Sequence, residues 1–156
     1  MDRRTFFAFA AAAVLAAPEA HAMASDAAPS GVFQESFLVF PDEVRDAAKA
    51  GKRVIVFIEQ EGCVYCQRMA EVTFADPQVR RLLESRFYMV ALDLYGSRDT
   101  VWVDGRKRSE KALARHLEVR GTPTILLLDE HGAVLWRLVG YRAPREFLAV
   151  LEQTRG

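Results

Sequence analysis

Cys63 and Cys66 are the only thiols in the 156-residue chain, and Val64-Tyr65 separates them. At the start of a helix this spacing lets two sulfurs approach bonding distance. Free N–H groups at a helix mouth favour the thiolate of the leading cysteine. Cys63 is therefore the expected exposed nucleophile. Its attack on a partner disulfide would give a mixed disulfide, which Cys66, more buried, would resolve. Two other readings compete. A structural disulfide at this spacing closes a very small loop and constrains the unfolded chain little. A structural zinc site takes four ligands, and His116 and His131 stand at no ligand-like spacing to the pair. The residues favour redox chemistry with no metal and no cofactor.

Such a pair needs a rigid support. Val54-Ile55-Val56-Phe57-Ile58 is short, uninterrupted and largely β-branched, the pattern of a strand buried on both faces. Glu59-Gln60-Glu61-Gly62 follows as a turn, and a helix begins near Cys63. Met69 and Val72 extend its inner face at spacings of three from Cys66. Asp76-Pro77 reads as an N-cap and first turn of a further helix through Val79, Leu82 and Leu83. Phe87–Leu94 is a second buried strand, far enough along for a parallel crossover. Upstream, Gly31–Phe40 is an edge strand or extended arm, and Pro41-Asp42-Glu43 opens a helix that Gly51 stops. Tyr95–Arg108 reads as a long loop, a length uncommon unless functional. Trp102 within it is either a partner contact or a side chain tucked onto the body. Ser109 caps a helix carrying Leu113 and Leu117. Thr124–Asp129 and Val134–Val139 form a hairpin about Glu130-His131-Gly132, and Pro144 opens a last helix bearing Phe147, Leu148 and Leu151. The order is α-β-α-β-α-β-β-α, an α/β fold with a mixed central sheet and helices on both faces.

Composition bounds the function. Basic and acidic side chains balance at 21 each. That balance leaves no footprint for nucleic acid or anionic lipid. Residues 1–24 read as a signal peptide: Arg3 and Arg4, an Ala- and Phe-rich stretch, Pro18, then small-residue cleavage sites. Arg3-Arg4-Thr5-Phe6-Phe7 also resembles a twin-arginine export signal. An uncleaved N-terminal anchor is the competing reading. The stretch falls short of the roughly 18 apolar residues that span a bilayer. Residues 25–40 form a leader or edge segment, and 41–156 the domain. Export places that domain in the periplasm of a bacterium, an oxidising setting.

Arg120-Gly121-Thr122-Pro123-Thr124, a strand, a turn at Gly132 and then Val139-Gly140 accompany the cysteine pair. Together they resemble the thioredoxin superfamily over about residues 40–154. The resemblance implies a thioredoxin fold, a cis peptide before Pro123, and a Thr122 backbone that pairs with an extended substrate segment. A narrower resemblance runs through Phe57–Cys66, Ala91–Arg98, Asp104-Gly105 and Ser109–Ala114. Those stretches look like the periplasmic thioredoxins of bacterial sulfur-oxidation (Sox) systems. It implies reduction of disulfides in periplasmic partners, sulfur-oxidation carrier proteins among them, with electrons from a membrane thiol transporter.

Two departures stand out. Gly62 replaces the Trp that precedes the first cysteine in thioredoxins, and Phe57 replaces a buried Asp that assists deprotonation of the resolving thiol. Glu59, at the strand end, is the nearest acid for that proton transfer; a solvated turn residue is its other reading. Val64-Tyr65 brings neither a charge nor a His to stabilise the Cys63 thiolate, which favours a reductant. An oxidase or isomerase of exported proteins, a binding module and a copper chaperone are the alternatives.

Overall fold

Val54 to Phe57 form the buried centre of a four-stranded sheet ordered β2-β1-β5-β6. The computed structural model describes residues 31–154; the expected signal peptide and most of the leader lie outside the described residues. Strand β1 is Arg53–Glu59, and β2, Phe87–Asp93, runs parallel to it. Strands β5, Thr124–Leu128, and β6, Val134–Val139, continue antiparallel. Side chains alternate across a strand, so β1 divides its residues between two cores. Val54, Val56 and Ile58 pack with Phe40, Val44, Trp102 and Leu113 on one face. Ile55 and Phe57 pack with Cys66, Met69, Phe74, Val79, Leu83, Phe147 and Leu151 on the other. Each fully buried large side chain contributes about 1.5–3 kcal/mol.

The helices are set by their ends. Helix α1, Phe40–Lys49, has Pro41 in its first turn with Asp42 and Glu43 beside it. Segment α2, Val64–Arg68, continues into a π-helical turn over Met69–Thr73. Helix α3, Pro77–Arg86, is capped by the Asp76 carboxylate, which accepts from the Gln78 and Val79 amides. The Ser109 hydroxyl caps α4, Glu110–His116, by accepting from the Ala112 amide. Pro144 opens α5, Pro144–Gln153. Helices α1 and α4 cover the first core, while α2, α3 and α5 cover the second.

Two expectations are revised, and two left open are decided. Tyr95–Arg108 is not a loop throughout: Asp99–Val101 (β3) and Lys107–Ser109 (β4) pair as an antiparallel ribbon. Asp104-Gly105 makes its turn, with Gly105 at φ +74°. Trp102 is tucked in, edge-on to Phe40 with ring centroids 4.7 Å apart. Val72 does not continue the inner face of Cys66. The Phe74 amide bonds to the Met69 carbonyl (2.8 Å), five residues back, and this wider turn rotates the face. Val72 is exposed, and Thr73 and Phe74 are buried in its place. Of the two readings of residues 31–40, edge strand or extended arm, the arm holds: the segment before α1 meets other strands only through isolated bridges at Phe33 and Val39. Phe33 bridges Met89 on β2 and stacks near Phe57 and Phe74 at 5.6 and 5.9 Å.

Candidate active site

Strand β1 ends at Glu59, and Gly62 at φ +72° turns the chain so that Cys63 caps α2. A side chain at that φ would be strained. Cys63 and Cys66 are joined as a disulfide, with Cα atoms 5.2 Å apart. Cys66 is fully buried, whereas Cys63 is part-exposed at the surface. The Cys66 amide donates to Cys63 Sγ at 3.1 Å. The Thr122 hydroxyl donates to the same sulfur at 3.2 Å. Two donors thus converge on the more accessible sulfur, where negative charge collects after reduction. Hydrogen bonds to a charged acceptor are stronger than neutral ones, so this arrangement favours thiolate at Cys63.

Thr122 is brought there by the far strand. Its peptide bond to Pro123 is cis. The Gly140 amide donates to the Pro123 carbonyl (2.8 Å), and the Thr124 hydroxyl donates to the Gly121 carbonyl (2.7 Å). These bonds fix the Thr122-Pro123 corner against the start of β5. Fifty-nine residues of sequence separate Thr122 from Cys63, so sheet pairing of β1 with β5 is what joins them.

Glu59 is 6% exposed and sits two residues after Phe57 on β1. Alternation puts its side chain on the face of β1 that carries Phe57 and the core of Cys66. The solvated-turn reading is thereby overturned. At Phe57 there is an aromatic cluster in place of an acid: its ring lies 5.2 Å from Phe74 and 5.6 Å from Phe33.

Sequence reasoning missed several neighbours. It took Thr122 for its backbone and overlooked the hydroxyl. Tyr141 lies 6.5 Å from the Tyr65 ring, and the Arg68 guanidinium sits 4.9 Å above Tyr141. The Thr73 hydroxyl donates to the Arg142 carbonyl at 2.6 Å, tying the π-helical turn to this segment. Glu110, 1% exposed, was also overlooked. Its carboxylate accepts from the Asp93 and Arg98 amides (3.0 and 3.2 Å) and from the Arg98 guanidinium (2.7 Å). It anchors the chain leaving β2. The one available signal was its place just after a capping Ser, in the first turn of a helix. Among the described residues, no group of three or more His, Cys, Asp or Glu is placed to hold a metal ion. Among them too, no helix is long and apolar enough to cross a membrane.

Residues 40–155 match the thioredoxin-like domain family. The chain belongs to that family. The Cys63–Cys66 pair lies at the site of this thioredoxin-like domain. The chain is 33% identical over 115 residues to the thiol:disulfide interchange protein DsbD of Haemophilus ducreyi, a match covering 71% of this chain and 18% of that protein. The domain therefore spans under a fifth of the length of that curated relative. A thioredoxin from Thermus thermophilus is 33% identical with a TM-score of 0.59, covering 74% of this chain and 82% of the other. A thioredoxin-fold protein from Helicobacter pylori is 26% identical with a TM-score of 0.60, covering 74% and 79%. The reduced C-terminal domain of DsbD from Neisseria meningitidis shares the fold at 20% identity and a TM-score of 0.56, covering 74% and 94%.

Proposed function

We propose that the protein is a periplasmic reductase that passes electrons from a membrane thiol transporter to disulfides of exported partners. The observation that carries thiol–disulfide exchange at Cys63 is the pair of donors, the Cys66 amide and the Thr122 hydroxyl, aimed at its part-exposed sulfur and favouring its thiolate. In the reduced protein the Cys63 thiolate attacks one sulfur of the partner disulfide. That bond breaks, and the other partner sulfur leaves as a thiolate and takes a proton. Cys66, once deprotonated, attacks Cys63 Sγ and expels the partner's second thiolate. The result is a Cys63–Cys66 disulfide and two partner thiols, a transfer of two electrons. Glu59, buried on the Cys66 face of β1, serves as the proton acceptor for Cys66. Thr122 and Pro123 hold the partner segment. None of the backbone hydrogen bonds among the described residues uses Thr122, which leaves it open to pair with an extended chain.

The direction of transfer is supported by Val64-Tyr65, which adds no charge or His beside the thiolate. The likeness to thiol:disulfide interchange proteins agrees with it. The signal-like residues 1–24 support the compartment. Sulfur-oxidation carrier proteins are the partners we favour, on the residues of Phe57–Cys66 and Ala91–Arg98. Periplasm expressing the Cys66→Ser variant tests the reading. A mixed disulfide between Cys63 and exported proteins is expected; no trapped partner, with the variant folded, would remove it.

A further inference from the structure

Resting on the reductase reading, we propose that the partner segment flanking the target disulfide is acidic, and that Arg68 and Arg142, with Arg120 beside Thr122, select it. The Arg68 guanidinium lies over the Tyr141 ring, 4.9 Å from its centroid. A guanidinium held against a ring face by a cation–π contact still carries its planar fork of N–H donors. That geometry suits two-point binding of a carboxylate. Tyr141 in turn neighbours Tyr65 within the cysteine pair. Tyr65, Tyr141 and Arg68 are thus linked by successive ring contacts that begin within the Cys63–Cys66 motif.

Arg142 follows Tyr141 directly. Its Nη1 donates to the Tyr141 carbonyl (2.8 Å), so it engages a neutral acceptor. Arg120 is exposed, two residues before the Thr122 whose hydroxyl meets Cys63. Among the described residues, no carboxylate oxygen lies within ion-pairing distance of any of these three arginines. Elsewhere the chain does pair such groups: Arg45 with Asp42, Arg98 with Glu110, Arg108 with Asp104. Glu61 and Glu71, the exposed acids on the flanking segments, also form no pair with Arg68. Exposed Val64 and Tyr65 add an apolar surface next to the cations. An extended segment with carboxylates beside its cysteine and an apolar residue nearby complements this surface. A basic segment would meet three cations of like sign, which slows encounter and raises the cost of docking.

The test uses the full-length reduced protein and two synthetic peptides. Each is closed by one intramolecular disulfide, and they differ only in glutamate or lysine flanks. The expected kcat/KM is about tenfold higher for the acidic peptide, and the ratio shrinks as salt rises. The double variant Arg68→Glu, Arg142→Glu is expected to invert the preference. Arg81→Glu, at an exposed position of α3 outside the Tyr141 contacts, is expected to keep it. Far-ultraviolet circular dichroism and the stoichiometric reduction of Cys63–Cys66 establish that the variants are folded. Equal rates for the two peptides, or an unchanged preference in the folded double variant, would overturn this inference while leaving the reductase reading intact. Reduction of neither peptide would remove both.

Discussion

Replacing Thr122 by Val tests how the site activates Cys63. The substitution keeps the branched shape but removes the hydroxyl that donates to Cys63 Sγ at 3.2 Å. The Cys66 amide at 3.1 Å remains. A hydrogen bond to a charged group contributes about 1.5–3 kcal/mol. At 1.36 kcal/mol per pKa unit, losing it raises the Cys63 thiol by roughly 1–2 units. The bond stabilises the reduced thiolate more than the disulfide. Its removal should therefore make the couple more reducing, by about 30–60 mV at 30 mV per 1.4 kcal/mol. The first quantity is read from the pH dependence of iodoacetamide alkylation of reduced Cys63. The second is read from equilibration with a glutathione buffer. A thiol pKa and potential both unchanged in folded Thr122→Val would refute the role of that hydroxyl.

Other expectations follow from single contacts. Glu59→Gln keeps size and burial but cannot accept a proton. Partner attack by Cys63 should proceed while release of the mixed disulfide slows about tenfold or more; normal release would assign Glu59 a packing role only. Glu110→Ala leaves the Asp93 and Arg98 amides without their carboxylate. At about 1–3 kcal/mol for each part-buried donor, chemical denaturation should show a loss of at most roughly 2–6 kcal/mol, and an unchanged midpoint would contradict the anchoring role. Asp104 is held well below the usual carboxylate range, chiefly by the hydrogen bond from Arg108, then by the Arg106 amide. A depressed carboxylate stabilises above its unfolded value of about 4 and loses that contribution only as pH falls through the lower folded value. A carbon-13 titration of the Asp104 carboxyl should show no step near 4; a step there would show that the ribbon does not hold it.

Much of this architecture could be read from the chain because the signals were local. The β-branched run at Val54–Ile58, the Asp76 and Ser109 caps and the prolines at 41, 77 and 144 each act within a few residues. The ribbon at Asp99–Ser109 escaped, although Asp104-Gly105 is a hairpin signal between Val101-Trp102-Val103 and Arg106-Lys107-Arg108. Its strands are short and charged, and Trp102 is buried through contact with the distant Phe40. The outward turn of Val72 had no local cause either. It follows from the π-helical turn, where Thr73 bonds to Arg142 across 69 residues of sequence. The cysteines and the Thr122-Pro123 corner were legible as motifs. The Thr122 hydroxyl, the Tyr141–Arg68 stack and the Glu110 carboxylate were not, because each acquires its role only from a partner that the fold supplies.

The most direct measurement is the standard potential of the Cys63–Cys66 couple, obtained by equilibration against glutathione or a thioredoxin of known potential. A reductase of exported disulfides should lie toward the thioredoxin end of the range, roughly −270 mV, and a value near the roughly −120 mV of a strong oxidase would contradict the direction of electron flow argued above.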